Sequence, residues 1–242
     1  MYAIQTKNLT KKYHDLIAVD SLNLKIKKGE LFSLLGLNGA GKTTTVKMLS
    51  CLTKPTEGEA FVGGKNILSQ SEAVKRKIGV SPQETAVAPN LSVKENLELM
   101  CGIYGFSKEK TEKQVCELSE KLGLQTVWKK KAGTLSGGYQ RRLSIAMALI
   151  GEPEILFLDE PTLGLDVIAR RELWNVIRAL KGKVTVILTT HYMEEAEALS
   201  DSVGIMKNGK LLAVGTAKEL MEQTSADQFE TAFISIIEEA DI

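Results

Sequence analysis

The feature that most constrains this chain of 242 residues is the run Gly36-Leu37-Asn38-Gly39-Ala40-Gly41-Lys42-Thr43, a match to G-x-x-x-x-G-K-[ST]. Apolar residues 31–35 precede it, as a buried strand would. After it, Val46, Leu49 and Leu52 recur at helical spacing, which predicts a helix over 42–52. Strand, glycine loop and helix in that order define a cradle. The glycines let successive N–H groups curl inward, and the helix N-terminus adds roughly half a positive charge. Phosphate oxygens fit such a cradle. Gly36, Asn38, Gly39, Ala40 and Gly41 would form it, Lys42 would reach the β- and γ-phosphates, and Thr44 is grouped with them as nucleotide-binding. The Thr43 hydroxyl suits Mg2+, which prefers oxygen ligands and retains several waters.

A second constellation lies downstream. Ile155-Leu156-Phe157-Leu158-Asp159-Glu160 reads as a buried strand ending in two acids. This puts carboxylates at the carboxyl edge of the sheet, where open α/β folds bind ligands. Asp159 would hold Mg2+ directly or through water, and Glu160 could polarise an attacking water. His191 follows a strand expected over 184–189 and so reaches the same edge, where its imidazole could touch the γ-phosphate.

The remaining pattern agrees with an α/β fold. Partly alternating apolar segments over 3–33 predict an antiparallel strand region. Segments 91–104 and 108–122 carry apolar residues three and four apart and predict an inserted helical lobe. Helices over 138–150 and 169–180 alternate with the strands 155–158 and 184–189, which implies a parallel sheet. Segments 203–206 and 210–214 flank Asn208-Gly209, a type I′ hairpin signal. Segment 226–240 is amphipathic and acidic, and its expected helix could dock on this chain or on a partner.

Composition excludes several classes. Hydrophobic residues at 43% and charged residues at 25% describe an ordinary globular chain, at the upper end of what one core holds. Lys plus Arg number 31 against 30 acids, so no long-range field would draw nucleic acid or anionic lipid. Cys51, Cys101 and Cys116 lack the paired spacing of a zinc site and read as reduced thiols of a cytosolic protein. The N-terminus has no signal-peptide pattern, and no apolar run approaches the roughly 18 residues of a transmembrane helix. The expectation is a chain that stays where it is made and does not span a membrane by itself.

Leu135-Ser136-Gly137-Gly138-Tyr139-Gln140 opens a predicted helix just ahead of the carboxylate strand. Physically it is a second phosphate-binding surface, a hydroxyl with open backbone N–H groups. It resembles the LSGGQ signature of ABC ATPases, with Tyr139 where glutamine is usual. Other elements of the family follow in order, and the resemblance covers about residues 3–220. Tyr13 is similar to the aromatic that stacks on adenine. Gln83 is similar to the glutamine that meets Mg2+ and the attacking water. Gly164-Leu165-Asp166 resembles the loop joining two active sites across a dimer.

The resemblance implies an α/β fold with a P-loop NTPase core, a mostly parallel sheet, an N-terminal antiparallel β region and an inserted helical lobe at about 85–150. The ATPase domain would span 1–225, followed by an amphipathic tail, 226–242. It implies ATP and Mg2+ as ligands, with the metal held by Thr43, Gln83 and Asp159. Glu160 would be the general base, His191 would steady the γ-phosphate, and Gln83 would complete the catalytic set. Two subunits, as a homo- or heterodimer, would sandwich two ATP molecules between the phosphate loop of one and the signature of the other. A separate transmembrane permease would be the partner, with the chain peripheral on the cytoplasmic face of the cell membrane. The short segment after Gly215, together with Tyr139 and the Gly164-Leu165-Asp166 loop, most resembles bacterial export systems for drugs, antibiotics or polysaccharides. The alternative is a non-transport ABC ATPase acting on nucleic acid or ribosomes. Such relatives usually carry a long coiled coil or two ATPase domains, which this sequence lacks. A nucleotide-operated structural switch without turnover is a further reading, disfavoured by the presence of both Glu160 and His191.

Overall fold

A computed structural model describes residues 1–240. Two sheets organise it. The first is antiparallel and ordered β2-β1-β5-β6, with β3 pairing β1. Its strands are β1 (Tyr2–Tyr13), β2 (Leu16–Leu22), β3 (Lys25–Lys27), β5 (Glu57–Val62) and β6 (Lys65–Asn66). Between β3 and β5 the chain crosses to the second sheet as β4 (Leu31–Gly36) and continues into helix α1 (Lys42–Leu49). A short helix, α2 (Ser71–Lys75), leads to β7 (Ile78–Ser81).

Helices α3 (Val93–Ile103) and α4 (Lys108–Lys121) form the inserted lobe, and α5 (Gly137–Leu149) returns from it to the core. Alternating elements follow: β8 (Ile155–Asp159), α6 (Val167–Arg178), β9 (Thr185–Thr190) and α7 (Met193–Leu199). The hairpin β10 (Ser202–Lys207) and β11 (Lys210–Gly215) and the helices α8 (Ala217–Thr224) and α9 (Phe229–Glu239) end the described chain. The second sheet runs β11-β10-β4-β9-β8-β7, parallel throughout except at β11.

Strand alternation explains the layering, since successive side chains point to opposite faces. Phe157 of β8 and Ile187 of β9 join Phe32 and Leu34 in a core shared with the antiparallel sheet and α1. Leu156, Leu158, Val186 and Leu188 point the other way, into a core shared with the lobe and α5. Because the sheet is covered on both faces, its strands read as continuous apolar runs. Burying a side chain as Phe157 is buried is worth about 1.5–3 kcal/mol.

Predicted boundaries shift by a few residues. Helix α1 ends at Leu49, three residues short of the expected 52, because Cys51 takes a left-handed φ of 59° that no helix continues. The hairpin forms as expected, with φ of 47° at Asn208 and 81° at Gly209. Segment 226–240 docks on this chain: Phe229, Phe233 and Ile236 are buried against Leu35, Ala196, Val203, Ile205 and Leu220. The last two positions of the tail 226–242, residues 241 and 242, lie outside the described residues. The three cysteines are free, and burial pushes the Cys51 and Cys101 thiols up, away from reactivity. Among the described residues no helix is long and apolar enough to cross a membrane.

Candidate nucleotide site

Strand β4 delivers the glycine loop to the edge of the sheet, and α1 starts at Lys42. Gly41 has φ of 102°, and a Cβ on it would lie 2.4 Å from the Ala18 carbonyl oxygen. Only glycine fits there. No side chain caps α1, so the N–H groups of its first turn remain open to an anion. From the far end of the sequence, the Gly209 N–H donates to the Ala40 carbonyl at 3.1 Å and braces the loop. A cavity of about 780 Å³ opens above it. Its walls are Asn38, Gly39, Ala40, Gly41, Lys42, Thr43 and Thr44, with Tyr13, Leu16, Ile17 and Ala18 to one side and Gln83, Glu160, Leu163, His191 and Asn208 around the rest.

Glu160 lines the floor, whereas Asp159 and Gly36 are buried and do not line the cavity. Asp159 Oδ1 accepts from the Thr43 hydroxyl at 3.1 Å and from the Thr189 hydroxyl at 2.5 Å. The Glu160 backbone N–H is held by Thr189 Oγ1 at 3.0 Å, with Glu160 itself at a left-handed φ of 48°. That conformation is uncommon outside glycine and asparagine, and it turns the side chain inward. Glu160 Oε1 stands 3.2 Å from Lys42 Nζ, and Oε2 stands 2.7 Å from His191 Nδ1. Lys42 also donates to the Gly36 and Leu37 carbonyls, at 2.8 and 3.3 Å. Lys42 and Glu160 are each 5% exposed and Asp159 is 4% exposed, so the attraction between Lys42 and Glu160 is poorly screened.

This donor set fits Mg2+. Thr43 Oγ1 and Asp159 Oδ1 converge, and Gln83 stands on the same cavity wall. All three offer oxygen, as a hard cation requires. Among the described residues no cluster of three His, Cys, Asp or Glu could hold a metal by itself, so phosphates and water would complete the coordination.

The remaining predicted residues lie apart from this cavity. Ser136 is the N-cap of α5, exposed, and its side chain makes no capping bond. Gln140 donates to the Ala132 and Leu135 carbonyls at 3.3 and 3.2 Å. Tyr139 packs beside Thr126, their hydroxyls 3.4 Å apart, with the Arg142 guanidinium 5.5 Å from its ring centre. Gly137 and Gly138 face Leu165 and Ala169, where an added Cβ would lie 3.5 Å from the Leu165 side chain and 3.3 Å from the Ala169 Cβ. Gly164 has φ of 75°, and Asp166 caps α6, accepting from the Ile168 and Ala169 N–H groups at 2.9 Å. The structure thus gathers signature and dimer loop into a second cluster.

Two contributors escaped sequence reasoning. Thr189 holds both acids, and only its register opposite Asp159 across β8 and β9 reveals it. Arg141 is buried and donates to the Pro82 and Gln83 carbonyls at 2.7 and 2.8 Å, tying the signature helix to the Gln83 segment. Burial lowers its pKa, opposed by the Asp159 carboxylate. Its position one turn into α5 was the available signal.

Known proteins are similar to this chain in sequence and in fold. A family model described as ABC transporter matches residues 19–163. The chain belongs to the ABC transporter ATP-binding family. Within the family, it is 41% identical over 244 residues to the probable multidrug ABC transporter ATP-binding protein YbhF of Escherichia coli, covering 98% of this chain but only 42% of that protein. It is 40% identical to the linearmycin resistance ATP-binding protein LnrL of Bacillus subtilis, covering 98% of this chain and 76% of the relative. Among solved structures, an ATP-binding cassette in a dimeric post-hydrolysis state with ADP and Pi aligns at TM-score 0.78 and 31% identity, covering 88% of this chain and 98% of that one.

Proposed function

We propose that this ABC family member binds ATP with Mg2+, hydrolyses it, and powers export through a separate membrane-spanning permease. One observation carries the reading: Glu160 touches both Lys42 and His191 at the floor of a cavity rimmed by the phosphate loop. A general base needs a partner that orients it and a place beside the reacting phosphate.

Each side chain then has a task. Tyr13 stacks on the adenine, the loop N–H groups and Lys42 hold the phosphates, and Thr43, Asp159 and Gln83 hold the metal. Bound Mg2+ would neutralise phosphate charge, the usual requirement of phosphoryl transfer. When the γ-phosphate takes over the Lys42 ammonium, Glu160 is released to accept a proton from water. His191 keeps Glu160 aimed and steadies the γ-phosphate. Little covalent chemistry falls to the protein, whose contribution is positioning and charge.

The second cluster has no nucleotide contact within one subunit, because Ser136, Gly137 and Gly138 do not line their own chain's cavity. Facing a second copy, they would close over its ATP, and Gly164, Leu165 and Asp166 would join the two sites. Closure on ATP and reopening after hydrolysis would move the permease, as ligand-dependent populations do. The chain would sit on the cytoplasmic face of the membrane, held by that permease. Support for export comes from the relatives' names, one a probable multidrug ABC transporter ATP-binding protein and the other a linearmycin resistance ATP-binding protein.

The test is Mg2+-dependent ATP hydrolysis by the purified chain beside Glu160→Gln, with size-exclusion chromatography in ATP. Turnover in the wild type, with loss of turnover and an ATP-stabilised dimer in the variant, is the expected result. A wild type that binds ATP yet neither turns over nor dimerises, even with permease-containing membranes, defeats the proposal.

A further inference from the structure

Helix α7 starts two residues after His191 and carries three glutamates, of which Glu194 and Glu197 face solvent and Glu195 is 0% exposed. A carboxyl so placed needs partners, because an isolated buried charge is far too costly. Its Oε1 accepts from the Trp174 indole N–H at 2.9 Å. Trp174 lies on α6, eight residues beyond the cap Asp166 of the dimer loop. The Thr190 and Thr162 hydroxyls flank the same carboxyl. Thr190 immediately precedes His191, and Thr162 lies two residues after Glu160. Glu195 Oε2 and Thr162 Oγ1 are both fully buried without a hydrogen bond of full geometry, a pair of unmet groups side by side.

We propose that Glu195 is a positioning residue for hydrolysis, joining the helix behind the dimer loop to the chain segments that carry Glu160 and His191. The proposal rests on the hydrolase reading above. Three separate elements meet at one side chain: α6 through Trp174, the end of β9 through Thr190, and the turn after β8 through Thr162. Any displacement of α6 by a second subunit at the dimer loop is felt at this point, behind the floor of the nucleotide cavity.

The surroundings of the carboxyl shift it toward the neutral acid. Burial pushes the Glu195 carboxyl above the ordinary carboxylate range and the nearby Glu160 charge pushes the same way, while the Thr190, Thr162 and Trp174 donors oppose them. None of these neighbours is a cation. A protonated carboxyl accepts from the indole on one oxygen and donates from the other to a threonine hydroxyl, so it can serve all sides at once. Glutamine offers the same acceptor and donor in nearly the same shape. Alanine offers neither, and leaves the indole and hydroxyls unpaired.

The experiment compares steady-state ATP hydrolysis by wild type, Glu195→Ala, Glu195→Gln and Trp174→Phe, with a thermal melt of each. Glu195→Ala should lose kcat by about tenfold while KM for ATP changes by less than about twofold, the pattern of misplacement without lost binding. Glu195→Gln should stay within about twofold of wild type, and Trp174→Phe should lose about threefold in kcat. A residue that served stability alone would lower the melting temperature and leave the kcat of the folded fraction unchanged. If Glu195→Ala does not fold, the other two variants decide. Wild-type kcat in Trp174→Phe, or a Glu195→Gln as impaired as the alanine variant is expected to be, overturns the proposal. A wild type without turnover overturns the hydrolase reading and this inference together, whereas an active wild type with an equally active Glu195→Ala overturns the inference alone.

Discussion

Around the phosphate loop, Lys42, Asp159 and Glu160 are at most 5% exposed and are bonded to one another or to Thr43, Thr189 and His191. Around the signature, Ser136 makes no capping bond, Gly164 has nothing within 4 Å of where a side chain would begin, and Val167 and Ile168 stand 64% and 72% exposed. The first region is finished inside one chain. The second presents open donors and apolar side chains outward, as a surface does that expects to be covered. The contrast teaches where each half of the proposed chemistry would reside: positioning of phosphate in the subunit, and the lid over it in an assembly.

Four variants put that division under strain. Glu160→Gln should have the largest effect, lowering kcat by about 10²–10⁴-fold with ATP still bound, since it removes the proton acceptor and leaves the phosphate loop and Lys42 in place. A rapid-quench measurement of single turnover reads it directly. Lys42→Ala comes next: losing a charge-assisted contact to phosphate should weaken nucleotide binding by about ten- to a hundredfold in calorimetry. An undiminished affinity would mean that the loop amides suffice without the ammonium. Ser136→Ala should leave binding to the isolated chain intact and cut turnover by about tenfold through the assembly. Were the affinity of the monomer to fall instead, the two regions would not be separable. Asp166→Ala is the mildest, since loss of one cap costs about 1 kcal/mol and a chain of this size should melt about 2–4 °C lower. A melt unchanged by it would indicate that α6 is held by its packing alone.

Legibility in the sequence followed the range of the interaction. The phosphate loop, the strand bearing Asp159 and Glu160, and the Asn208-Gly209 turn depend on neighbours within a few residues, and they were readable. Strands β5 and β7 were not, because they are set by pairing with the distant β1 and β8, whereas the two-residue β6 pairs locally with β5 across Gly63-Gly64. Helix α8 was missed although Thr216 and Glu219 form a capping box, a local signal that was there to be used. Thr189 had no local signal, because its task exists only once β9 lies beside β8. Nor does the run Glu194, Glu195, Glu197 tell which carboxyl is interior. Helical phase settles that, and phase needs the neighbouring α6 and its Trp174.

Strand β4, which ends in the phosphate loop, has β9 and β10 as its sheet neighbours, and the loop itself is braced by Gly209. A ribosome therefore makes the nucleotide loop early and its supports late. Until residues 185–209 have emerged, the apolar strand Leu31–Gly36 has no edge to join, and the nascent chain carries a finished motif on an unfinished foundation. Birth order thus leaves the emerging chain a long interval with an apolar strand unpaired, and it sets the moment at which the phosphate loop first gains its supports.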